Sequence, residues 1–252
     1  ITPMQEGIGE SWELSHVEGN YSVVDNGALE GKTLDELIRT YGKQLLGEKV
    51  VEQFGSIFPL LIKFIDARDN LSIQVHPDDE LAKKRHNSFG KTEMWYVVDC
   101  DEGATLLYGF KHEITKEEFA RRIADNTLLE VTNAVPVKKG DVFFIKSGTL
   151  HAIGKGILIA EIQQNSNTTY RIYDYGRVGK DGKPRELHVN KALDVTKLAP
   201  AEQYPETPVE KKDGYDIKLL SKCEYFTTYR VNVETKAELD ADENSFNSII
   251  VL

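Results

Sequence analysis

In the stretch NLSIQVHPDDE, residues 70–80, Gln74 and His76 stand two apart in a run that alternates apolar and polar. Side chains two apart on a strand point to one face, so both can look into the interior of a β structure. Glu93 opens the later run EMWYVVD, and His151 lies near the end of the turn-rich segment GDVFFIKSGTLHAIG. One amide oxygen, two imidazoles and one carboxylate make a donor set for a divalent cation, and the His and carboxylate content favours zinc. Fe(II) or Mn(II) would accept the same His/His/carboxylate core, so these residue types argue for a metal more strongly than for one metal. Taken singly, each has a plainer explanation. A strand histidine is commonly a hydrogen-bonded core or edge residue, and Glu93 could simply pair with Lys91.

Strands must position these groups, and the chain is rich in strand signals. FPLLIKFIDAR is a continuous apolar run of strand length, LSIQVHP alternates, and EMWYVVD and ATLLYGF flank the acidic turn CDEG. Further on, LLEVTNAVPVKKGDVFFIKSGTLHAIGKGILIAEIQQNS reads as strands punctuated by the glycine turns KKGD and KSGT. Two helices interrupt the pattern. The first spans 33–46, where Thr33 and Glu36 form a capping box ahead of Leu34, Leu37, Ile38 and Tyr41. The second spans 115–125, with Thr115 and Glu118 in the box positions. The sum is a mainly β, antiparallel sandwich or barrel with helical insertions.

Residues 1–200 read as one domain carrying the chemistry. The proline- and charge-rich segment around 201–214 reads as a connection, and 215–252 as the start of a second, smaller β-rich unit. The chain opens at Ile1 and closes on the apolar run FNSIIVL with no turn after it, which suggests a truncated second unit.

A net charge of −10 offers no basic stripe for nucleic acid, although a local basic pocket could still take an anionic small molecule. Two cysteines, Cys100 and Cys223, are too few for a disulfide framework and fit a reducing, cytoplasmic compartment. No apolar run approaches the ~18 residues of a membrane span. Protein partners are not specified by any pattern.

His151 falls in a particular frame: Gly140, Gly148, His151 and Gly154 match the second cupin motif, with Lys146 and Lys155 in place of its usual proline and asparagine. The blocks IGESWELS, FIDARDNLSIQVHPDD, GKTEMWYVVD, GDVFFIKSGTLHAIG and QNSNTTYRIYDYGR resemble, in order, the signature segments of type I mannose-6-phosphate isomerases (phosphomannose isomerases) in their short bacterial form. The likeness spans roughly residues 7–190 and implies a cupin-type antiparallel β-barrel or jelly roll. It also implies one zinc ion per chain held by His76, Glu93 and His151, with Gln74 as a fourth ligand. By the same resemblance Arg171, in TYRIYDYGR, falls on an active-site arginine, and the substrate is a small sugar phosphate.

Interconverting mannose 6-phosphate and fructose 6-phosphate moves a proton between C1 and C2 through an enediol(ate). Guanidinium stays protonated, so Arg171 suits charge stabilisation and positioning. Lys91 lies two residues before Glu93 and would share its face on a continuing strand, in reach of substrate or as a solvated strand end. The proton itself could move through an activated water, Lys91 or Asp174. Arg171, Arg177, Lys180 and Lys183 are candidates for the phosphate. Trp95 and Tyr96 read as core, and His86, His112 and His188 as surface or structural. Two other readings use the same residues, a different cupin metalloenzyme and a non-catalytic cupin that binds sugar phosphates.

Overall fold

The computed structural model describes residues 7–179 and 182–252. Strand β1 (Glu10–Leu14) is followed by the hairpin β2 (His16–Val17) and β3 (Asn20–Tyr21). Thr33 then caps α1 (Leu34–Tyr41): its hydroxyl accepts from the Glu36 N–H while the Glu36 carboxylate accepts from the Thr33 N–H. The single helix expected over 33–46 is instead broken at Gly42, whose φ of 48° ends α1 before α2 (Lys43–Leu46) and α3 (Glu48–Phe54).

Next come β4 (Leu60–Ala67) and β5 (Ile73–Val75). The abrupt stop at Pro77 has a local cause. Asp78 caps α4 (Asp79–His86), its carboxylate accepting from the Leu81 N–H at 2.9 Å. Acids fill the first turn of α4 and Lys83, Lys84, Arg85 and His86 the last, which suits the helix dipole. Its polar circumference hides it from a search for apolar periodicity. Then follow β6 (Glu93–Cys100), β7 (Thr105–Phe110) and α5 (Lys116–Ala124), the last capped by Thr115 as expected. The remaining strands to residue 173 are β8 (Thr132–Pro136), β9 (Val142–Ile145), β10 (His151–Ala152), β11 (Ile157–Gln164) and β12 (Tyr170–Tyr173). Helix α6 (Val189–Val195) precedes β13 (Val209–Lys212), β14 (Tyr215–Lys222) and β15 (Thr227–Val233).

Two compact units emerge, one running up to Ser11 and over Lys63–Gln203, the other over Trp12–Ile62 and Tyr204–Leu252. The strands that reach into the first unit form two five-stranded sheets, ordered β1-β4-β11-β6-β9 and β12-β5-β10-β7-β8. Every recorded pair among β5 to β12 is antiparallel. Ile65, Trp95, Val97, Leu106, Tyr108, Phe143, Ile145, Ile153, Ile157 and Ile159, drawn from both sheets, form one buried cluster between them. The opposite face of the second sheet packs Ile73, Val75, Phe110, Ala152 and Ile172 with Phe119 of α5 and Ala192 of α6. Most of that sheet is therefore covered on both faces and its central strands alternate between two cores, while Ala134 and Pro136 on the edge strand β8 stay exposed.

The second unit holds the β2–β3 hairpin, α1 to α3 and the three-stranded sheet β13-β14-β15. Its closing segment lies on α3. The Glu48 N–H donates to the Glu243 carbonyl at 2.7 Å, and Phe58 meets Phe246 with ring centroids 4.6 Å apart. Gly47, at φ 91°, passes so near Asn244 and Ser245 that a Cβ would run into their backbone. The FNSIIVL run, read as strand-like from its apolar residues, pairs with no strand; Ile249, Val251 and Leu252 are exposed. Among the described residues no helix is long and apolar enough to cross a membrane.

Replacing the Thr33 cap tests the helix assignment. Thr33→Ala is expected to lower unfolding free energy by about 1 kcal/mol, read as a lower urea midpoint at unchanged slope.

Candidate metal centre

Inward-facing positions on the first sheet follow a two-residue period, and their chemistry changes along each strand. On β4 the order is Lys63, Ile65, Ala67; on β6 it is Glu93, Trp95, Val97; on β11 it is Ile157, Ile159, Glu161. One end of the interior is thus an apolar core and the other a cluster of buried charge. The second sheet adds Gln74 from β5 and His151 from β10, which sit opposite one another in register. Directly paired residues share a face, so both side chains enter the same space. His76 follows β5 by one residue, and its carbonyl accepts from the Gly148 N–H at 2.9 Å, tying the end of β5 to the turn before His151.

His76, Glu93 and His151 are fully buried, and their ligating atoms lie within 4.8 Å of one another. The imidazole protons are accounted for by the backbone. His76 Nδ1 donates to the Thr168 carbonyl at 3.0 Å and His151 Nδ1 to the Thr149 carbonyl at 2.8 Å. A carbonyl only accepts, so each neutral ring keeps its lone pair on Nε2. Those two Nε2 atoms are 3.1 Å apart, and Glu93 oxygens lie 3.3 Å from His151 Nε2 and 3.6 Å from His76 Nε2. Glu93 Oε1 has no hydrogen-bond partner. Three acceptors facing one another without a proton between them repel. A cation at their centre resolves the conflict, and tetrahedral ligands at about 2.0–2.1 Å from an ion would stand roughly 3.3 Å apart. The residues present therefore fit a divalent ion. Gln74 Nε2 lies 3.3 Å from His151 Nε2, and a half-turn of the amide would present its oxygen instead.

Burial is the main cause of the perturbed protonation here. It lowers His151 to about 4 and, with Lys91 and His151 beside it, holds His76 well below the ordinary imidazole range. Both rings are therefore neutral and available as ligands at neutral pH. Burial also raises Glu93 to about 7, Glu161 adding to the rise and Lys91 opposing it.

Lys91 precedes β6 rather than continuing it, since the strand begins at Glu93. Its ammonium nevertheless reaches the cluster, 2.6 Å from Glu93 Oε2 and 3.3 Å from His76 Nε2. Burial works against that charge, but Glu161 and Glu93 outweigh it and raise the Lys91 pKa. Glu161 and Lys63 were not singled out from sequence. Glu161 accepts from Trp95 Nε1 at 2.8 Å and stands 3.6 and 3.7 Å from the Lys63 and Lys91 ammonium groups. The available signal was a charge inside an apolar strand, as in LLIKFI and LIAEIQQ, on the face that elsewhere carries core residues.

Arg171 on β12 is the register partner of Gln74. Its Nη1 donates to the Glu186 carbonyl at 3.0 Å, and its Nε is buried without a partner. Asp174 is nearly buried and accepts from both Arg177 and Arg185, so three of these charges are committed to one another. Lys183 is exposed, and Lys180 lies outside the described residues. Trp95 is core, and Tyr96 half-buried. His86 bonds the Tyr170 hydroxyl at 2.8 Å and His188 Nδ1 accepts from the Arg171 N–H at 3.1 Å, both structural contacts; His112 is exposed.

An antiparallel double sheet with a His/His/carboxylate cluster that could hold a metal ion between its layers defines a cupin-type protein. A family model of the phosphomannose isomerase type I catalytic domain matches residues 2–104. The probable mannose-6-phosphate isomerase GmuF of Bacillus subtilis is 41% identical over 231 residues, 91% of this chain and 71% of that protein. Mannose-6-phosphate isomerase of Streptococcus mutans is 40% identical, covering 93% of this chain and 72% of its own length. The crystal structure of mannose 6-phosphate isomerase from Bacillus subtilis superimposes with a TM-score of 0.82 at 38% identity, over 89% of this chain and 70% of that one. The chain belongs to the type I phosphomannose isomerase family.

Chelation should lower the melting temperature and added divalent metal should restore it, because an ion bound only by the folded state stabilises by about 2.7 kcal/mol at a hundredfold excess over its Kd. Glu93→Gln should abolish the metal-dependent shift. A wild-type melting temperature indifferent to metal would remove the site.

Proposed function

We propose that this chain interconverts mannose 6-phosphate and fructose 6-phosphate with a zinc ion held by His76, Glu93, His151 and the Gln74 amide, and that Lys91 and Arg171 act on the sugar. The observation that carries this reading is the meeting of two Nε2 lone pairs and an orphaned Glu93 oxygen in a dry pocket, in a chain of this family. Zinc, when bound, would supply Lewis-acid charge at the reacting end of the sugar, lowering the cost of the oxyanion formed as the carbon-bound proton passes to a water and returns to the neighbouring carbon.

The remaining work falls to side chains. Lys91, kept as an ammonium by Glu161 and Glu93, is a hydrogen-bond donor rather than a proton acceptor. It suits the enediolate oxygen, and Glu161 holds it from behind. The Arg171 guanidinium cannot deprotonate, and its unpartnered Nε is a donor left over for a substrate oxygen. Asp174 is a poor base, since burial would raise its pKa but Arg185 and Arg177 outweigh that and lower it. Arg177 is spent on the same carboxylate, which leaves Arg171 the better phosphate or oxyanion partner of the two.

Charge supports an anionic substrate. The cluster's two carboxylates, Glu93 and Glu161, are balanced by the buried ammonium groups of Lys63 and Lys91, while the buried Asp174 is matched separately by Arg177 and Arg185. A divalent ion therefore leaves the pocket positive, which suits a sugar phosphate and, more so, its enediolate. Zinc is favoured over Fe(II) or Mn(II) by the donor set.

The test is conversion of either sugar phosphate by metal-replete protein. Chelation should abolish turnover and zinc should restore it; a metal-replete protein inert on both sugars would sink the proposal. Arg171→Ala should retain bound metal and a normal melting curve while losing about a hundredfold or more in kcat. Lys91→Ala should lose as much in kcat with metal still bound, and should melt at a lower temperature because Glu93 and Glu161 lose a buried counter-charge. Full activity in Arg171→Ala would remove that residue from the mechanism.

A further inference from the structure

Lys91 lies in neither strand nor helix, yet its side chain is almost completely buried and aimed at the metal cluster. A four-carbon side chain on a free loop would lose its place. The backbone beneath it is unusually well held. Three successive N–H groups each meet a fixed acceptor: Gly90 donates to Asp79 Oδ1 at 2.7 Å, Lys91 to the Pro77 carbonyl at 3.1 Å, and Thr92 to Gln164 Oε1 at 2.8 Å. Gln164 closes the arrangement, because its Nε2 donates to the same Asp79 oxygen at 2.9 Å and its own N–H donates to the Thr92 carbonyl at 3.2 Å.

We infer that Gln164 is a positioning residue for the isomerisation: by bridging Asp79 and the Thr92 N–H it fixes the Gly90–Thr92 backbone, and with it the Lys91 ammonium at the metal cluster. The inference rests on the reading of Lys91 given above. Gln164 is 2% exposed and ends β11, one residue beyond Gln163, the register partner of Glu93. Its two partners settle the amide's orientation, since oxygen must face an N–H and nitrogen must face a carboxylate. An amide is the group that does both at once. A carboxylate there would oppose Asp79, and a hydrocarbon would leave the buried Thr92 N–H unpaired. The segment cannot settle elsewhere easily, because a Cβ on Gly90 would lie 2.5 Å from the Asp78 carbonyl carbon, so closely does it pass the start of α4.

The experiment measures kcat, KM for fructose 6-phosphate and bound metal in wild type, Lys91→Ala, Gln164→Leu, Gln164→Glu and the Lys91→Ala/Gln164→Leu double variant. Both Gln164 variants should lose about tenfold or more in kcat with KM within about twofold of wild type and full metal content. In the Lys91→Ala background Gln164→Leu should cost nothing further, because the group it positions is gone. If Gln164→Leu does not fold, the near-isosteric Gln164→Glu is read by the same kcat, KM and metal criteria. Unchanged kcat in the Gln164 variants overturns the inference, as do loss of metal or losses that multiply in the double variant. An inactive wild type or a fully active Lys91→Ala would instead remove the functional reading beneath it, and those two proteins report on that separately.

Discussion

Two imidazole lone pairs and a carboxylate share one dry pocket, with both imidazole protons already given to backbone carbonyls. In low dielectric such a set of acceptors is strongly unfavourable unless positive charge stands among them. Much of the first unit can be read as an answer to that constraint. The Thr168 and Thr149 carbonyls decide which nitrogen of each ring keeps its lone pair, Lys91 reaches in from a loop, and Glu161 with Lys63 balances the charge behind it. Removing one member leaves another buried charge uncompensated, which is why the cluster behaves as a unit rather than as separate pairs.

The pleat makes this affordable by confining polarity to one end of the interior. Ile65 and Ala67 continue the face of Lys63, Trp95 and Val97 that of Glu93, and Ile159 and Ile157 that of Glu161. The same alternation that builds the core thus builds the site, with no change of fold between them. Trp95 belongs to both. Its ring packs edge-on to His151 with centroids 5.3 Å apart, while its indole N–H holds Glu161.

This division explains how a family of aldose–ketose isomerases can work on an anionic sugar within a protein of net charge −10. The overall balance governs long-range behaviour and is screened within about a Debye length. Local charge is arranged differently: the ammonium groups of Lys63 and Lys91 are buried beside Glu93 and Glu161, and Arg171 is the register partner of Gln74. Arg177, a phosphate candidate from the sequence, serves Asp174 instead, together with Arg185.

His76, Glu93 and His151, which the structure brings together, were singled out in the sequence by their combination and by the family-like blocks around them rather than one by one. The α1 and α5 caps were legible too, being matters of three or four adjacent residues. Helix α4 was missed because a helix polar on every side carries no periodic signal, and the break at Gly42 because a glycine's φ is set by what surrounds it. Glu161, Lys63 and Gln164 escaped for a different reason. Glu161 and Lys63 offered only a charge inside an apolar strand, and what they do, like what Gln164 does, is defined by a partner far along the chain: Lys91 for the first, Glu161 for the second, Asp79 and Thr92 for the third. Sequence alone therefore determined the strand-rich class, the donor types and the family they resemble, since residue identity and spacing carry those. Which nitrogen bears a proton, which lysine is buried and what holds it there were decided only by tertiary structure, because they depend on distances between strands that sequence order does not encode.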